Sequence, residues 1–161
     1  MHDAAPGDVR TAEARGLLKL IARWRVDAML NGHSCETAAY LIPPGVINPP
    51  AHIERGLALT TRVNTALYEA GLNPNDPAKR PAPKPAAGFN LNTLAMLSSG
   101  CLALTLEVTV SNEIPAREGA ARQPKILYTF DQLMSPALVT LREYLKDGLE
   151  KPFIDRARWE K

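Results

Sequence analysis

"SSGCLALTLEVTV", Ser98 to Val110, is the stretch that decides the fold. Leu102, Leu104, Leu106, Val108 and Val110 alternate with Cys101, Ala103, Thr105, Glu107 and Thr109, the period of two of a β-strand. One set is wholly aliphatic and the other holds small residues and a single acid. The spacing therefore predicts a strand over Cys101 to Val110 that is covered on both faces, as in the middle of an α/β sheet. An ionised carboxylate is costly there unless it is paired, hydrogen-bonded or beside a metal, and acids so placed gather at functional sites. Glu107 has two readings: a salt-bridged residue near a strand end, or a working acid.

Upstream, the same alternation of elements recurs. Thr11 to Arg25 opens with a capping Thr and places Ala14, Leu17, Leu18, Ile21 and Trp24 on one helical face. "VDAMLNG", Val26 to Gly32, follows at once as a short apolar run that stops at a glycine, the pattern of a buried strand. His33 then falls just past its end. "HSCETAAYLIPPGVINPP" has four prolines and a glycine in its second half and reads as an irregular loop of the kind that carries function. A helix is expected from His52 to Ala70, with Ile53, Leu57, Thr60, Asn64 and Leu67 roughly on one face and Gly71 as its stop. "LNPNDPAKRPAPKPAAGFN" holds five prolines and reads as an extended surface excursion. Beyond the Glu107 strand, "SNEIPAREGAARQPK" is a polar loop. Leu133, Leu138, Leu141, Leu145 and Leu149 then mark a last helix from Phe130 to Leu149, with Pro136 tolerated only in its first turn. Helices alternating with strands imply parallel strands joined by helical crossovers. The expected fold is α/β: a three-layer αβα arrangement with a mainly parallel mixed sheet, in a single domain over residues 1 to 161.

Composition narrows the function classes. A chain of 161 residues makes one domain with one sizeable core. Its 19 Lys and Arg against 17 Asp and Glu are scattered, with no basic run of the sort that binds nucleic acid or a membrane surface. No apolar run reaches membrane-spanning length, and "MHDAAPGDVRT" lacks the basic-then-apolar order of a signal peptide. Cys35 and Cys101 are too few for a disulfide framework and are expected to be buried thiols.

In open α/β sheets, ligands gather outside the carboxyl ends of the strands. His33 and Glu107 both lie toward such ends, which lets them face one site. A neutral imidazole is a metal ligand or a base, and a carboxylate beside a metal-bound water is a competent general base. His33 taken alone also reads as a hydrogen-bonded loop histidine.

The order of these elements resembles the zinc carboxypeptidases of the carboxypeptidase A type. In that family an acid-bearing helix leads into a strand ending at a histidine that ligates zinc, as in "TAEARGLLKLIARWRVDAMLNGHS". A Pro/Gly loop and a helix follow, and then a hydrophobic strand ending in the catalytic glutamate, which "SGCLALTLEV" resembles. The resemblance implies His33 as a zinc ligand, Glu107 as general base, Zn2+ as cofactor, and a peptide or similar small amide as substrate. It also implies that the chain corresponds to the C-terminal part of such a catalytic domain. The family's first two ligands come from an H-x-x-E motif ahead of the matched helix, and they would lie outside this chain. The same resemblance extends to zinc amidohydrolases acting on small acylated amino acids, and to a peptide-binding module that keeps the fold without the metal.

Within the chain, "HSCE" is itself H-x-x-E, so His33, Glu36 and His52 form an alternative two-His, one-Glu set. The expectation weighs against it. His52 follows two prolines at a helix start and reads as exposed, and Glu36 reads as a loop carboxylate. The Tyr40 to Pro50 loop is expected to wall one side of the cleft.

Overall fold

The structure is a computed structural model and describes residues 12–24, 26–35, 38–88, 90–109 and 130–151. Helix α1 runs Ala12–Trp24, strand β1 Ala28–Cys35, strand β2 Tyr40–Ile42, helix α2 Pro50–Glu69, helix α3 Leu91–Ser99, strand β3 Leu102–Thr109 and helix α4 Phe130–Glu150. The strands form a small mixed sheet in the order β1-β3-β2. The long ladder, Ala28 with Leu102 through Cys35 with Thr109, is parallel, while the short one, Tyr40 with Glu107 through Ile42 with Thr105, is antiparallel. The molecule is thus a mixture of helix and strand compatible with the α/β class.

The alternation in β3 does what it predicts. Leu102, Leu104 and Leu106 are each 1% exposed, and on the opposite face Ala103 and Thr105 are equally closed off. Two contacting helix pairs, α1 with α3 and α2 with α4, accompany the sheet. Asn92 in the first turn of α3 donates to Thr105 Oγ1, so α3 lies on the Thr105 face. The three leucines belong to one apolar cluster with Leu59, Val63 and Leu67 of α2 and Tyr144 of α4.

Several expectations are corrected. His33 does not follow its strand but lies inside it, because the parallel ladder to β3 continues through Gly32 to Cys35. Gly32 is not among the left-handed glycines, so nothing there breaks the strand. The first residues of the Tyr40–Pro50 loop are β2, and Pro44 and Val46 beyond it are tied by backbone hydrogen bonds to Ala86. That tie anchors the proline-rich excursion, which also forms a 3-10 turn at Pro77–Lys79 capped by Asp76. Helix α2 begins at Pro50, where a proline's fixed φ suits the first helical position. Its buried face is Gly56, Leu59, Thr60, Val63 and Leu67, rotated from the expected one. A methyl group on Gly56 would come within 2.7 Å of the Pro44 ring, so the closeness of loop and helix requires glycine there.

Helix α3 went unread in the sequence although its signals are present. Asn90 caps it, its Oδ1 accepting from the Thr93 N–H at 3.0 Å, and Gly100 ends it in the left-handed conformation. In α4 the leucine pattern marks a helix but not its core face. Pro136, Thr140, Tyr144 and Asp147 are buried, whereas Leu138, Leu141, Leu145 and Leu149 face outward. Pro136 sits inside the helix, past its first turn. Trp24 is likewise exposed, with the Arg23 guanidinium 5.9 Å from its ring centre. Cys101 is buried and unpaired, and burial pushes its thiol pKa up. The side chain of Cys35, together with Thr11, Arg25, Glu36, Leu133, Val110 and the polar loop beyond it, lies outside the described residues or side chains.

Candidate functional site

The parallel register sets His33 directly beside Glu107. Neighbouring residues in register project to the same face of a sheet, and the imidazole Nδ1 lies 3.5 Å from Glu107 Oε1. That distance is contact rather than a well-made hydrogen bond. The Glu107 side chain is 12% exposed and that of His33 46%. The carboxylate is therefore largely withdrawn from water, while the imidazole opens to it on an edge strand.

Four neighbours were not anticipated: Tyr40, Asn31, Thr105 and Asn92. Tyr40 on β2 is in register with Glu107 from the other side, so Tyr40, Glu107 and His33 form one row across the three strands. One row toward the amino end stand Ile42, Thr105 and Asn31. There Asn31 Nδ2 donates to Asn92 Oδ1 at 3.3 Å, and Asn92 Nδ2 to Thr105 Oγ1 at 2.5 Å. This polar ladder fastens the first turn of α3 beneath the His33–Glu107 row. Asn31 and Thr105 each lie two residues before a candidate residue, so the strand period could have found them. Tyr40 could not be found that way, because its place depends on an antiparallel register that three residues do not announce.

His52 stands elsewhere. Its Nε2 is 2.7 Å from the carbonyl oxygen of Gly100, just ahead of the amino end of β3. From Leu102 to Glu107 the strand alone covers roughly 17 Å at about 3.3 Å per residue. His52 is half-buried, not exposed as expected, and too far from His33 to share a metal with it. The His33, Glu36 and His52 alternative fails on that separation.

No family model, curated protein or solved structure matches this chain. The chemistry must be argued from the residues themselves. Among the described residues no three His, Cys, Asp or Glu side chains converge on one point. A catalytic zinc site takes about three protein ligands, and the described residues do not bring three such side chains together. What the row offers unaided is a shielded carboxylate able to accept a proton, next to an imidazole with an accessible side. No described helix is long and apolar enough to cross a membrane.

Proposed function

We propose that this chain carries the general base and one metal ligand of a zinc-dependent metallocarboxypeptidase, with a three-layer carboxypeptidase-like architecture completed by H-x-x-E ligands outside it. The observation that supports this reading is the single row in which His33 Nδ1 faces Glu107 Oε1 at 3.5 Å, on two parallel strands whose carboxyl ends point the same way. Such ends are where α/β sheets hold ligands. Among the described residues β1 is an edge strand, which leaves room for further ligands to reach His33 from beyond it.

Zinc, when bound, would polarise the scissile carbonyl and lower the pKa of a water. Glu107 takes a proton from the attacking water as its oxygen bonds to the carbonyl carbon, holds it, and delivers it to the amine nitrogen when the C–N bond breaks. The low exposure of Glu107 limits competing water around that proton. His33 is oriented by its place in the ladder, and the Asn31–Asn92–Thr105 hydrogen bonds steady the strands below it.

A second reading, a peptide-binding module of the same fold without the metal, is favoured by the incomplete donor set among the described residues. The two separate in one assay. The full-length protein, loaded with zinc, is incubated with peptides and the release of C-terminal amino acids is followed, with and without a chelator. Chelator-sensitive release is expected. Peptide binding without release would favour the second reading and overturn the first.

A further inference from the structure

Helix α4 has two apolar sides. One is held in the core, and Asp147 on that side is gripped by Arg55 and Arg62 of α2. The other consists of Met134, Leu138, Leu141 and Leu145, which are 44%, 63%, 46% and 68% exposed. Their spacing of four, three and four residues is the seam of a two-helix coiled coil. At 100° per residue the seam lies well over 90° round the helix from Thr140 and Asp147, so it faces away from α2.

We infer that this seam joins two copies of the chain through antiparallel α4 helices. The occupant is chosen by symmetry and charge. A two-fold interface must be self-complementary, and setting Met134 opposite Leu145 and Leu138 opposite Leu141 of the other copy makes four wholly apolar layers from one sequence. The same register brings the Asp131 end of each helix alongside the Arg142 end of the other, where Lys146 is taken up by Glu143 of its own helix at 2.6 Å. A parallel pair would instead place Asp131 by Asp131 and Arg142 by Arg142. Antiparallel pairing thus gains opposite charges where parallel pairing meets like ones. From Met134 to Leu145 the seam is about 17 Å long at about 1.5 Å per residue, which is at the small end of specific interfaces. The dimer is therefore concentration-dependent. This association does not rest on the proposed activity.

Sedimentation equilibrium of the 161-residue chain over a concentration series tests it. A monomer–dimer equilibrium is expected, and Leu138→Glu with Leu141→Glu should leave a folded monomer by circular dichroism, since both positions are exposed. Asp131→Lys and Arg142→Glu should each weaken the dimer about tenfold, and the combined variant should recover it. A monomer at every concentration, a dimer that survives the double glutamate variant, or no recovery in the charge swap would overturn the antiparallel seam.

Discussion

At the scale of single residues, the placement of Glu107 has a physical account. It is the acid on the small-residue face of a strand buried on both sides, beside His33 and opposite Tyr40. Alternation along β3 made Glu107 legible from the sequence, and the parallel order of β1 and β3 made its meeting with His33 legible too. Tyr40 was not, since β2 is too short for any period to show. One expectation concerns the donor count. With one imidazole and one carboxylate in the row, zinc titrated into the 161-residue chain should give at most a weak isotherm in calorimetry, because a catalytic zinc needs about three protein ligands. Tight one-to-one binding by these residues would refute the incomplete-site reading.

At the scale of elements, α2 and α4 are joined by an ion-pair cluster rather than by leucines. Arg55 Nε is 2.7 Å from Asp147 Oδ2, Arg62 reaches Oδ1 of the same carboxylate, and Arg55 also donates to the carbonyls of Asp147 and Lys151 at the end of α4. The Asp147 side chain is 9% exposed, and removing it takes the carboxylate from the largely buried Arg55 guanidinium at a packed interface. Asp147→Ala should cost about 3 kcal/mol in urea unfolding, whereas Arg62→Ala, on the exposed side of the cluster, should cost about 1 kcal/mol or less. Equal costs would show that the cluster does not hold the helices together. This cluster also explains why the leucine pattern marks the helix without marking its core face. Four leucines outweigh one aspartate in a hydrophobic pattern, and the burial of Asp147 depends on two arginines some 85 to 92 positions earlier, which periodicity within one helix does not register. Helix α3 escaped for a different reason: nine residues barely exceed two turns, and only its cap and its terminal glycine announce it.

At the scale of the whole molecule, stability should fall at high pH through Tyr144. Burial pushes its phenol well above the ordinary value of 10.0, so the folded state holds the proton more tightly than the unfolded chain. The stabilisation is complete below about pH 10 and is lost as the pH rises from there toward the folded-state pKa. Tyr144→Phe should flatten that loss in thermal melts taken as a function of pH, and an unchanged slope would assign the loss to other groups. The broad plan, helices against a sheet with β3 at its centre, was legible because burial on both faces leaves a clear alternation. The mixed character of the sheet was expected too, but not which strand runs antiparallel, because that turns on the three residues of β2. The proposed function turns on whether His33 and Glu107 serve one metal in different roles. The direct test measures zinc content and peptidase turnover together on the full gene product carrying Glu107→Gln or His33→Ala. Glu107→Gln should keep its zinc and lose turnover by about a hundredfold or more, while His33→Ala should lose the metal itself. Undiminished turnover in Glu107→Gln, or full zinc in His33→Ala, would contradict the account.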